Sequence, residues 1–146
     1  YHEPLTIYSG HGDAKYEQQC RRIIIEMGLE EQILKPWLDA EPFRRKLGTA
    51  VCTVMCSRFE PLGMVAAESL LAGTPVIAAK VGGIPEILGY GDERMFCTHE
   101  RGSLAECLDW LLTDFEMRQN MAERGRAYLL RNYTLAAMEE SWKLAV

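Results

Sequence analysis

Residues 57–73 read SRFEPLGMVAAESLLAG. From Leu62 to Ala72 almost every side chain is apolar or small, and Gly73 follows as a stop signal, so the stretch is expected to be a helix. Glu68 breaks its pattern. Its helical neighbours, three and four positions away, are Met64, Val65, Leu71 and Ala72. That setting places Glu68 on an apolar, buried helix face, and a buried ionised carboxylate needs partners. Two readings stay open. A lone helical glutamate is commonly exposed or paired with an arginine, since charged residues are rarely fully buried. Alternatively, the hydroxyls of a ligand serve it.

The flanks are also compatible with a ligand. AVCTVMC (50–56) is β-branched and apolar enough for a fully buried strand, and TPVIAA (74–79) is a second one. The loop 58–63 therefore lies at the carboxyl end of a strand, just before a helix. The first amides of that helix, near Gly63, Met64 and Val65, combine with the helix dipole into an anion site suited to a diphosphate. Gly63 removes a side chain where a ligand would approach the backbone. Glu60 sits in the loop and Glu68 about two turns further on, of order 10 Å away at ~1.5 Å of rise per residue. That exceeds the usual spacing of a glycosidase acid/base pair. The two read instead as acceptors for hydroxyls at different places on one elongated ligand. The vicinal hydroxyls of a ribose would suit Glu68.

Around this centre, strands and helices alternate. Residues 5–8 read as a strand, followed by the turn SGHGD (9–13). Tyr16, Cys20, Ile23, Ile24 and Met27 fall at helical spacing before Gly28. A short strand and bend over 32–38 and a short helix over 41–48 come next. VGG (81–83) is a turn, followed by one or two helical turns over 84–88 and an edge strand over 94–97. Ser103 with Glu106 has the form of a capping box for a helix through Leu112. Another helix covers 115–131, and Thr134 caps the last. This order predicts an α/β fold, a Rossmann-like doubly wound parallel sheet in a single domain over 1–146. Such sheets bind ligands at strand carboxyl ends. VGG suits either a close backbone approach or a plain tight turn. SGHGD is not GxGxxG, so the dinucleotide fingerprint is absent.

Composition narrows the function classes. The chain has 146 residues, 48% of them hydrophobic and 25% charged, enough for a core. A net charge of −5 argues against nucleic acid as a partner. No apolar run is long enough for a membrane span, and no signal-peptide pattern opens the chain. The first residue is Tyr1, which suggests a piece of something longer. Cysteines stand at 20, 52, 56, 97 and 107. Cys52 and Cys56, if in one strand, would be ~13 Å apart, too far for a disulfide. The odd count and the scatter read as reduced thiols in a cytoplasmic protein. His2, His11 and His99 are isolated in the sequence, and no DxD or HxxxH occurs, so no metal site and no cofactor are expected.

Taken whole, SRFEPLGMVAAESLLAGTPVIAAKVGGIPEIL (57–88) resembles the donor-binding half of retaining glycosyltransferases of the two-domain GT-B fold, and more narrowly the family four, "glycosyl transferases group 1" type. The hallmark is Glu, seven residues, Glu, here Glu60 and Glu68, with Ser57 before it, Gly63 inside it, AGTPVIA behind it and then GG-x-x-E. The resemblance implies a C-terminal GT-B half that lacks its first strand-helix unit. It also implies a missing N-terminal acceptor-binding domain and a nucleotide-diphosphate sugar as substrate. Glu68 would bind the ribose hydroxyls, and Glu60, at the catalytic position, the hydroxyls of the donor sugar. The backbone of Pro61, Leu62, Gly63, Met64 and Val65 would face the sugar and the diphosphate. The backbone near Lys35, Pro36 and Trp37 would border the base, and Gly10 would fall in the family's first glycine-containing loop. The parent would be active and this piece nearly inert, with attachment to the inner membrane face an option that nothing here demands. The sequence departs from the family pattern at Ala50-Val51, where Ala-Asp is usual, at Cys56-Ser57, where Pro-Ser is usual, and at Pro36, near a usual Gly. Two other classes fit less closely: a non-catalytic nucleotide- or partner-binding module derived from the same fold, and a related sugar-nucleotide epimerase.

Overall fold

Short parallel strands alternating with helices make up the structure, a computed structural model that describes residues 6–8, 13–29, 34–35, 38–89, 91, 93–100 and 102–145. The chain divides into two units, Tyr1–Phe43 and Arg44–Val146. In the first, β1 (Ile7–Tyr8) pairs in parallel with β2 (Leu34–Lys35), placing Ile7 opposite Leu34 and Tyr8 opposite Lys35. Helix α1 (Ala14–Glu26) joins them. It starts at Asp13, whose carboxylate accepts from the amides of Lys15 (2.8 Å) and Tyr16 (3.3 Å). Of the five apolar positions expected to face inward, only Ile24 is buried; Tyr16, Ile23 and Met27 are exposed. A sheet of two short strands has too little surface to cover a whole helix face.

Helix α2 (Ala40–Leu47) spans the division between the units and ends on buried Leu47. The second unit holds β3 (Thr53–Met55), α3 (Met64–Leu71), β4 (Val76–Ala79), α4 (Ile84–Ile87) and a 3-10 turn over Glu93–Met95. Then come β5 (Phe96–Cys97), α5 (Ser103–Thr113), α6 (Phe115–Asn132) and α7 (Leu135–Ala145). Its sheet has the order β3-β4-β5, wholly parallel, with Met55 opposite Ala78 and Ala79 opposite Cys97. The central strand β4 is buried along its full length, as VIAA requires. Leu70, Ile84, Leu88, Met95, Leu111 and Leu129 close the core around it. Two buried polar side chains are satisfied inside it. Ser69 Oγ lies 2.8 Å from Thr53 Oγ1 and 3.1 Å from the Thr74 carbonyl, and Thr74 Oγ1 donates to the Leu47 carbonyl at 2.6 Å.

Two expectations are corrected. The strand within 50–56 covers only Thr53–Met55 and is half-buried, since among the described residues it pairs only with β4. Ser103 does not build a capping box. Helix α5 starts at Gly102 with no side-chain cap, and Ser103 Oγ instead accepts from the Thr98 amide at 2.8 Å. The cap expected from Thr134 is of the usual kind, and Asp114 supplies a further one. Asp114 Oδ1 accepts from the Met117 amide at 2.9 Å and Thr134 Oγ1 from the Ala137 amide at 3.2 Å.

Candidate functional site

The chain leaves the carboxyl end of β3 through residues 56–62 and enters α3 at Gly63, in the left-handed region at φ +92. That conformation favours glycine. The Gly63 amide donates to Glu60 Oε1 at 3.1 Å, so Glu60 folds back over the loop and holds the helix entrance. The first intrahelical bond runs from the Ala67 amide to the Gly63 carbonyl. The amides of Met64, Val65 and Ala66 therefore have no acceptor within α3, and no side chain caps them. The positive end of the helix thus lies at the loop with uncapped amides, those of exposed Met64 and half-buried Val65, while Ala66 is fully buried.

The VGG turn fits under this loop. The Gly83 amide donates to the Glu60 carbonyl at 3.1 Å. A Cβ on Gly82 would run into that same carbonyl, and one on Gly83 would sit 2.7 Å from the Pro61 carbonyl. One on Gly63 would sit 2.8 Å from Ile84 Cδ1. Of the two readings open for VGG, the contact found is with the loop backbone. The glycines let residues 60–62 lie directly on the turn after β4.

Glu68 is not on a buried face. Its side chain is 30% exposed, and its neighbours Met64 and Leu71 are 57% and 44% exposed. The core face of α3 is formed by Ala66, Ser69 and Leu70. Arg44 Nη2 lies 3.7 Å from Glu68 Oε1, a long, solvent-screened pair. The arginine partner that the bland reading anticipated is thus present, beside a partly exposed carboxylate. Leu62, Met64 and Leu71 leave exposed apolar surface on the same helix and its entrance. Pro61 is exposed too, and Val65 is half-buried. Gly10, Pro36 and Trp37 lie outside the described residues. Lys35 is described only in its backbone, opposite Tyr8.

The structure adds three neighbours that the sequence reading missed. Arg44 is 24 positions from Glu68, and nothing in the sequence couples them. His99 Nε2 is 3.3 Å from the Ser57 carbonyl, so this histidine stands beside the loop. Cys56 Sγ and Cys97 Sγ are 3.8 Å apart. Burial, reinforced by Cys56, pushes the Cys97 thiol up to about 11. Burial also raises the Cys52 thiol, against the opposing charge of Arg118. All five cysteines are free thiols, and among the described residues no three His, Cys, Asp or Glu side chains are grouped to hold a metal ion. No helix among them is long and apolar enough to cross a membrane.

A parallel α/β unit with a glycine-hinged loop and an open helix start at its strand carboxyl ends belongs to the class of folds that takes ligands at that edge. The particular family follows from the sequence match: residues 8–128 fit the family described as "Glycosyl transferases group 1", and the chain belongs to it. The chain is 30% identical over 130 residues to D-inositol 3-phosphate glycosyltransferase of Corynebacterium efficiens, covering 86% of this chain and 30% of that protein. Its fold is similar to sucrose-phosphate synthase from Thermosynechococcus elongatus (TM-score 0.79, 19% identity, 99% of this chain and 46% of that one). It is also similar to Anabaena Alr3699/HepE, solved in complex with UDP and glucose (TM-score 0.78, 22% identity, 97% of this chain and 39% of that one). The chain thus spans less than half the length of each of these three proteins.

Proposed function

We propose that this chain is the donor-binding part of a two-domain, retaining glycosyltransferase that moves a sugar from a nucleoside-diphosphate sugar to an acceptor hydroxyl. The observation that carries the reading is the helix entrance: the uncapped start of α3 lies in the chain between Glu60, which is tied to Gly63, and the partly exposed Glu68. Family membership and the likeness to a structure holding UDP and glucose support it.

In this reading the diphosphate lies against the amides of Met64 and Val65. When the bond between the anomeric carbon and the phosphate oxygen breaks, charge grows on the diphosphate, and fixed N–H dipoles favour that charge without reorganising. Glu60 has one oxygen committed to the Gly63 amide, which leaves Oε2 to accept from a sugar hydroxyl. Glu68 accepts from the ribose diol, and donor entry would draw it from the long contact with Arg44. The acceptor is bound by a separate N-terminal domain, so the chain alone binds donor weakly and turns over little. Five free thiols agree with a reducing, cytoplasmic setting.

The test is a calorimetric titration of this chain with UDP, GDP and ADP, with Glu68→Ala alongside. One nucleotide is expected to bind at about the 1 mM scale, near −4 kcal/mol, and Glu68→Ala to abolish it. Equal binding by the variant, or silence toward all three nucleotides even in the intact parent protein, would contradict the proposal.

A further inference from the structure

His99 stands on a turn that is closed on itself. Strand β5 ends at Cys97, and α5 begins at Ser103. Between them, Ser103 Oγ accepts from the Thr98 amide at 2.8 Å, and Thr98 Oγ1 accepts from the Glu100 amide at 3.2 Å. The Ser103 amide donates in turn to the Glu100 carbonyl at 3.3 Å. Both chain neighbours of His99 are thus tied to Ser103 and to each other. The ring projects from a fixed base, so little backbone freedom is lost when it holds a partner.

The ring reaches across the sheet. The order β3-β4-β5 puts β4 between the end of β5 and the end of β3. His99 Nε2 nonetheless lies 3.3 Å from the Ser57 carbonyl. A carbonyl only accepts, so Nε2 carries the proton. Beside this contact Cys56 Sγ packs 3.8 Å from Cys97 Sγ, so two successive residues at the root of the loop meet the β5 side. Further along the same loop, the Gly83 amide donates to the Glu60 carbonyl and the Gly63 amide to Glu60 Oε1. The loop is therefore fastened at its root by His99 and at its middle by the VGG turn. The root fastening is an exposed side chain from outside the loop. It can be removed without touching the core or any residue assigned to the donor.

From this geometry we infer that His99 is a positioning residue, a strap from the end of β5 that holds the root of the loop 56–62 and, through it, Glu60 and the start of α3. It touches no reacting atom and acts through the Ser57 carbonyl. The strap is a property of the free chain, and its consequence for nucleotide binding rests on the donor-site reading proposed above. A loop ordered before binding has less freedom to lose, so the strap should show as affinity. The chemical requirement is narrow: one N–H at the reach of Nε2. The amide nitrogen of glutamine has that reach, and that of asparagine, one carbon shorter, does not.

The experiment compares wild type with His99→Ala, His99→Asn and His99→Gln, first by amide hydrogen exchange in the free chain and then by titration with UDP, GDP and ADP. In His99→Ala the Gly63 and Gly83 amides, which both donate to Glu60, are expected to exchange about threefold faster, as suits a long, exposed hydrogen bond at the low end of its usual worth. The amides of Ile77 and Ala78 in buried β4 should keep their wild-type rates, which checks that the variant is folded. His99→Asn should behave like His99→Ala, and His99→Gln should restore the wild-type exchange. Affinity for the nucleotide that wild type binds should follow the same order and fall by the same factor. Unchanged exchange at Gly63 and Gly83 in His99→Ala would overturn the inference, and so would a His99→Gln variant that restores nothing. Nucleotide bound equally by wild type and His99→Ala would overturn the part of the strap in donor binding. Wild-type silence toward all three nucleotides, with exchange as expected, would uphold the strap and count against the donor-site reading instead.

Discussion

Helices α3 and α5 begin in the same way and are built differently. Each follows a left-handed glycine, Gly63 at φ +92 and Gly102 at φ +95, and neither has a side-chain cap. Gly63 is buried, its amide is held by Glu60, and Ile84 presses on the space a Cβ would occupy. Gly102 is exposed, and a Cβ there would meet nothing within 4 Å. Helix α6 offers a third solution, with Asp114 accepting from the amide of Met117. An open helix start is therefore not enough to make a ligand site. What sets α3 apart is that its open amides are fixed in place by a loop seated on two glycines.

The comparison can be broken by substitution, and the effects should rank by how firmly each glycine is enclosed. Gly82→Ala should be the most damaging, because its Cβ would meet the Glu60 carbonyl while φ stays at +52. Strain and collision together should cost about 3 kcal/mol or more in a denaturant titration. Gly63→Ala should cost about 2 kcal/mol, since Ile84 Cδ1 at 2.8 Å is a side-chain end that can move while the backbone strain remains. Asp114→Ala removes an ordinary cap and should cost about 1 kcal/mol with no effect on nucleotide binding. Gly102→Ala should also cost about 1 kcal/mol, from strain alone. If Gly102→Ala proved as costly as Gly63→Ala, the contrast between enclosed and open helix starts would fail.

The smallest effect concerns pH. Cys97 titrates near 11 in the folded chain against an ordinary 9.0. Between those values the unfolded chain has lost the proton and the folded chain keeps it, so stability is full below about 9 and falls as pH rises toward 11. Cys97→Ala should flatten that decline in reduced protein. The slope that remains should have the same sign, because Cys52, Cys107 and Tyr133 are also raised. An unchanged slope would remove Cys97 from the account.

The α/β alternation was legible because its signals are local: β-branched runs, helical periods, and glycines at element ends. The loop of Glu60 and Gly63 was legible as a strand-to-helix connection for the same reason. Glu68 was placed on the wrong face because α3 is apolar nearly all round. In such a helix the pattern does not say that Ala66, Ser69 and Leu70 face the core while Met64 and Leu71 face out. The need for glycine at 82 and 83 could be read, but not that the approaching atoms are carbonyls of residues 60 and 61. The pairs Arg44–Glu68 and Cys56–Cys97 depend on helix placement and strand order, which short-range pattern does not encode.

The central claim is that the enclosed start of α3, unlike the open start of α5, receives a nucleoside diphosphate. The most direct measurement follows backbone amide resonances while UDP is added, which works at millimolar affinity. The account expects the amides of Met64 and Val65 to move with saturation while those of Leu104 and Ala105 stay still, and expects Glu68→Ala to suppress the movement. Saturating shifts that leave Met64 and Val65 unmoved, or shifts of equal size at both helix starts, would contradict it.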